Sequence, residues 1–142
     1  MAMTVVELAE RKSRWRAFGF LFLAALTCAL MIVVRPGHGS DFSQGLWFGV
    51  LVGCAINLMP IKRWLRPNNA VLRLVEDEGT RENRRFSCTV GFWVATAVAI
   101  AAGMASHFDP AVTAQEVGQL VATAAVASAM VAFAMLELRG AR

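Results

Sequence analysis

No Asp, Glu, Lys, Arg or His falls within residues 17–34, 45–61, 86–106 or 117–136 of this 142-residue chain. A charge at the centre of a membrane helix costs about 2.5–3.5 kcal/mol, and about 20 apolar residues cross a bilayer core. Four uncharged runs near that length therefore predict membrane helices rather than the core of a soluble domain. The same absence argues against transport by this chain alone, because ion and proton pathways are built from intramembrane ionisable groups. Only two histidines occur, His38 and His107, and both lie outside the runs, so the intramembrane imidazole that haem b or chlorophyll needs in a bundle is lacking. H-E-x-x-H, G-x-S-x-G, a P-loop and C-x-x-C are all missing, which leaves no candidate for catalysis and no cofactor; no enzyme is expected. Cysteine is scarce too. Cys28, Cys54 and Cys88 form an odd set, each inside an apolar run, and are read as small hydrophobes rather than disulfide partners or metal ligands.

What remains is strongly apolar. Hydrophobic residues make up 57% of the chain, above the ~45–50% of ordinary globular proteins. The first run, Ala17–Val34, exceeds the ~7–15-residue core of a cleavable signal peptide and lacks an A-x-A site before a mature domain, so it is expected to stay in the protein. With Gly45–Ile61, Phe86–Ser106 and Val117–Leu136 it predicts a single all-α domain over residues 1–142. The expected fold is an integral-membrane four-helix bundle of two helical hairpins, joined by a cytoplasmic amphipathic linker over 62–85.

Basic residues orient the expected bundle. Arg11, Lys12, Arg14 and Arg16 precede the first run; Lys62, Arg63, Arg66, Arg73, Arg81, Arg84 and Arg85 lie in the middle linker; Arg139 and Arg142 end the chain; only Arg35 lies in the two loops opposite. Under the positive-inside rule both termini face the cytoplasm of a bacterial inner membrane. Trp15, Trp64 and Trp93 near the inner ends of the runs, and Trp47 near an outer end, fit the interfacial belts that indole favours. The formal charge of +4 then reads as topology charge attracted to anionic lipid, not as a nucleic-acid surface.

Small residues mark packing faces. Gly45, Gly49 and Gly53 recur every fourth position with Asn57 one turn on, a double GxxxG stripe carrying an amide that can clamp a neighbour. Packing inside the chain's own bundle is the preferred reading, and a dimerisation or partner-binding face is the other. Gly118, Ala122, Ala125, Ala129 and Ala132 form a second seam at alternating steps of four and three, whose partner is expected in the second or third span. Asp109–Pro110 is read as the N-cap and first turn of the last helix. Pro36–Gly37 and Gly39 break the chain after the first span. Glu10, Lys12, Gly19 and Phe20 match Glu82, Arg84, Gly91 and Phe92 at an offset of 72, a weak sign of a parallel duplication.

The linker is the main polar surface. Asn69–Gly79 reads as a short helix capped by Asn69 and ended by Gly79, after which Arg81–Arg85 extends the third span beyond the bilayer. The stretch from Leu74 through Glu76-Asp77-Glu78, Arg81-Glu82 and Arg84-Arg85, running into Gly91-Phe92-Trp93, resembles a pattern in small, uncharacterised four-helix bacterial inner-membrane proteins that look like partners of helix-turn-helix regulators. That resemblance implies a membrane anchor or inhibitor of a cytosolic transcription regulator, with Glu76, Asp77, Glu78, Arg81, Glu82, Arg84 and Arg85 as the docking surface. The plainer reading is a solvated connector whose charges serve topology.

On the opposite side, His38, Asp41, His107 and Asp109 carry two imidazoles and two carboxylates that could together hold a divalent ion such as zinc, although loop residues without ligand spacing are usually only solvated. Partners expected overall are membrane lipids and a protein in the membrane or cytoplasm, with a homo-oligomer also open and no direct nucleic-acid contact. The leading function is a small regulatory membrane protein; the alternatives are a structural accessory subunit of a larger membrane complex and a small oligomeric transporter.

Overall fold

Long stretches of good helix formers, free of internal proline, give four α-helices and no strand among the residues described by the computed structural model, 5–34, 41–59, 78–109 and 111–140. They are α1 (Val5–Val33), α2 (Asp41–Leu58), α3 (Glu78–Phe108) and α4 (Ala114–Gly140). α1, α3 and α4 are each long and apolar enough to cross a membrane. At 1.5 Å per residue the 18-residue α2 is only about 27 Å long, just under a hydrocarbon core of about 30 Å. Three helices of spanning character thus stand among the described residues, against four apolar runs in the sequence.

The helix ends follow local chemistry. α2 stops at Leu58, short of the expected Ile61, and Met59 closes it by donating to the carbonyls of Ala55 and Ile56 at 3.2 Å. Pro60 follows Met59, and the residue before a proline is driven out of the helical region. α3 starts at Glu78 and runs unbroken through Arg81–Arg85 into its apolar stretch. Gly79 therefore lies within a helix rather than ending one, and the rest of the expected linker helix, from Asn69, falls outside the described residues.

The start of α4 corrects the expected cap. Asp109 directs its carboxylate at the Ala111 amide, 2.9 Å away, in a turn that precedes the helix. Thr113 is the residue that caps it. The Thr113 hydroxyl accepts from the Glu116 amide at 3.2 Å, and the Glu116 carboxylate accepts from the Thr113 amide at 2.8 Å. This reciprocal capping box satisfies two otherwise orphaned N–H groups, which a single aspartate one turn earlier cannot do.

α4 is the element around which the others gather: α1 and α3 pack along it extensively, while α2 touches α1 and α4 more sparingly. Phe20 against Phe133 near one end, and Met31 grouped with Leu120 near the other, show that α1 runs antiparallel to α4. Gly91 against Ala125 and Ala129, and Ala102 and Ala105 near Val117 and Leu120, show the same for α3. The core joins Ala17, Phe20 and Ala24 of α1, Cys54 and Leu58 of α2, and Ala127, Met130, Phe133 and Ala134 of α4.

Helices immersed in lipid gain nothing from leaving it, so contact must come from dispersion at close approach and from hydrogen bonds. Gly91 supplies the approach: a Cβ there would lie 2.7 Å from the Ala125 carbonyl oxygen and 2.9 Å from the Ala129 methyl. Among the described residues, hydrogen bonds between helices are few. Trp47 donates its indole N–H to the Thr123 hydroxyl at 3.2 Å, tying α2 to α4; it is buried there, whereas Trp15 and Trp93 are exposed and Trp64 lies outside the described residues. Thr27 gives its proton to the Leu23 carbonyl, leaving the Cys54 thiol, 3.7 Å away, to donate to its oxygen. Ser87, Thr89 and Thr96 likewise bond carbonyls of their own helix, which keeps hydroxyls satisfied without water.

The 72-residue offset does not carry into packing. Gly19 has open space around it while Gly91 is tightly packed, and Phe20 is buried while Phe92 is exposed.

Candidate functional site

Two polar residues bracket the apolar stretches of α1 and α4, and antiparallel packing brings them together. Arg16 comes one residue before the first run, Glu137 one residue after the last. The Arg16 guanidinium donates from Nη2 to Glu137 Oε1 at 2.7 Å. Ser13, one turn earlier on the same face of α1, donates its hydroxyl to Oε2 at 2.6 Å. Glu137 is 6% exposed, so both oxygens of a buried carboxylate are engaged. One turn back along α4, the Phe133 ring lies under the guanidinium at 5.4 Å and meets Phe20 edge-on at 5.0 Å. A cation over an aromatic face, charge-assisted hydrogen bonds and an aromatic pair thus converge on one end of the α1–α4 seam. With both of its oxygens engaged, Glu137 serves as a clamp fixing helix register.

The sequence contained a signal for this clamp. Glu137 is the only acid after the last run, and Arg16 faces it if both chain ends share one side of the membrane. Counting Arg16 among the topology charges hid the pairing.

Beside the clamp, the charges at the start of α3 are engaged differently. Arg81, Glu82 and Arg85 are exposed and Arg84 is half-buried, and none of the four forms an ion pair among the described residues. Glu78 is the first residue of α3, and Glu76 and Asp77 lie outside the described residues.

The two small-residue seams part ways. Ala125 and Ala129 receive α3 at Gly91, Ala122 is half-buried, and Gly118 has open space. On α2, no other helix comes within 4 Å of where a Cβ would stand at Gly45, Gly49 or Gly53. Asn57 folds its amide back onto the Gly53 carbonyl at 2.9 Å and is exposed. The stripe is open toward its surroundings among the described residues.

At the far end, Asp41, His107 and Asp109 are exposed and His38 is outside the described residues; no group of three or more potential metal ligands occurs among the described residues. Cys28, Cys54 and Cys88 are free thiols. Compared with known proteins, the chain matches no family model, no curated protein and no solved structure.

Proposed function

We propose that this chain is a partner-binding protein of the bacterial inner membrane, crossing it four times with both termini in the cytoplasm, and that a cytosolic protein docks at the charged start of α3. The observation that carries this reading is the contrast between two sets of charges. Arg16 and Glu137 neutralise each other inside the fold, whereas Arg81, Glu82, Arg84 and Arg85 carry charge without an ion-pair partner among the described residues. Charges of both signs on an exposed helix end suit a partner of complementary pattern, giving specificity and rapid encounter. Glu76, Asp77 and Glu78 would continue that surface. The resemblance to partners of helix-turn-helix regulators makes such a regulator the first candidate to look for.

The test is co-purification from membranes in mild detergent, comparing the native chain with a variant carrying Arg81→Glu, Glu82→Arg and Arg85→Glu. Loss of a cytosolic protein from the variant supports docking there; retention of every cytosolic partner sinks it. Topology is checked with membrane-impermeant thiol labelling of single cysteines at Ala111 and Arg139 in a cysteine-free background. Labelling of intact cells at Ala111 alone is the expected result.

A second reading, an accessory subunit of a larger membrane assembly, draws support from the open glycine stripe of α2. Without side chains at Gly45 and Gly49, a neighbouring helix backbone can come close. The four-pass topology also places α2 in the bilayer, where its modest length calls for local thinning or a covering neighbour.

A further inference from the structure

A cleft of about 550 Å³ lies at the end of the fold opposite the clamp, between the C-terminal turns of α1 and α3 and the first turns of α4. Met31 and Ile32 form one wall, Ala105 the other, and Val117, Gln119 and Leu120 the floor. α1 and α3 each pack on α4 far more than on each other, so the cleft opens between them. Ile32, at 72% exposed, marks its mouth.

Gln119 is the feature that asks for an occupant. Only 8% exposed, its amide makes no hydrogen bond among the described residues. The amide is not sealed in, because Arg16 Nε is the sole fully buried side-chain nitrogen or oxygen without a partner among the described residues; it is open to an occupant of the cleft that Gln119 lines. Glu116, the other polar residue of the lining, holds the Thr113 amide and hydroxyl on one of its two carboxylate oxygens.

We infer that this cleft seats one acyl chain of a bilayer glycerophospholipid, whose ester carbonyl accepts a hydrogen bond from the Gln119 side-chain amide. Depth selects this occupant. Gln119 lies about 8 Å along the axis from Ala114, the first residue of α4, and each headgroup layer is about 5–8 Å thick. An α4 that begins at the headgroups therefore holds Gln119 at the level of the ester groups, beside a mouth open to the chains. The volume lies within the usual ~300–1,000 Å³ of ligand sites, which likewise combine apolar walls with a few polar groups.

The inference rests on α1, α3 and α4 crossing the bilayer, and the experiment separates the two claims. Recovery of the chain in the soluble fraction after alkaline extraction of membranes would sink the spanning reading, and the lipid site with it. For protein that stays in the membrane, native mass spectrometry of the detergent-purified chain should show one retained phospholipid. Gln119→Leu, which keeps side-chain size, should lower retention about fivefold, the worth of one hydrogen bond. Ala105→Phe, which fills the mouth, should abolish it. In parallel, the unmutated chain in phosphatidylglycerol vesicles containing a diazirine-bearing phosphatidylglycerol should be labelled several-fold more at Ile32, Ala105 and Leu120 than at Phe22 and Phe92. Equal labelling of the two sets, no retained phospholipid, or unchanged retention in Gln119→Leu would each overturn the site.

Discussion

Arg16 and Glu137 stand 121 positions apart in the chain and 2.7 Å apart in the fold, joined at the end of the α1–α4 seam. The pair holds two antiparallel helices in register through a contact that an apolar stripe, tolerant of sliding, does not impose. Ser13 fills the second carboxylate oxygen, which makes the clamp bidentate on the acid side.

Replacing Arg16 with Met should destabilise the folded chain by about 1–3 kcal/mol, because the buried Glu137 loses its counter-charge. Arg16 keeps 29% of its side chain exposed, which holds the loss toward the lower part of that range. Arg16→Met combined with Glu137→Gln should cost clearly less than the sum of the single changes, as contacting residues couple. Reversible unfolding in mixed micelles measures all three, and strict additivity would remove the clamp from the account.

Gly91→Ala should destabilise by about 1–3 kcal/mol, since the new methyl would meet the Ala125 carbonyl oxygen at 2.7 Å and that backbone cannot simply swing aside. Gly118→Ala meets open space and should stabilise α4 by up to about 1 kcal/mol through helix propensity. Opposite shifts in melting temperature for the two glycines are the expected outcome.

Thr113→Ala should cost about 1 kcal/mol by opening the capping box of α4. Asp109→Ala should cost less, because its carboxylate serves only the preceding turn. Hydrogen exchange at the Glu116 amide reports this locally, and equal effects of the two changes would argue against Thr113 as the cap.

Gly49→Leu should leave the isolated chain folded, as no neighbour among the described residues lies within 4 Å of the added Cβ, yet should break any complex that uses the α2 stripe. Size and composition of the species in mild detergent, set against unfolding of the same variant, separate the two effects. A variant that retains every complex leaves the accessory-subunit reading without support.

The helical class, the location of the apolar segments and the helical run from Arg81 into the third apolar segment were legible in the sequence, because each follows from local chemistry. Uncharged stretches of spanning length favour helices wherever backbone groups cannot reach water. Gly45, Gly49 and Gly53 were equally visible, but spacing alone is silent about which neighbour, if any, a small-residue face meets; the structure leaves theirs open and presses Gly91, an isolated glycine, against α4 instead. The cap of α4 turned on a competition between Asp109 and Thr113 that only backbone geometry decides. The Arg16–Glu137 clamp and the cleft that Gln119 lines bring together residues 121 and 88 positions apart, Arg16 with Glu137 and Met31 with Gln119. Sequence chemistry thus determined that these segments are apolar helices. Which helix became the hub, and which polar groups found partners across it, was decided by tertiary packing, because the energy of those contacts depends on side chains that meet only once the helices have docked.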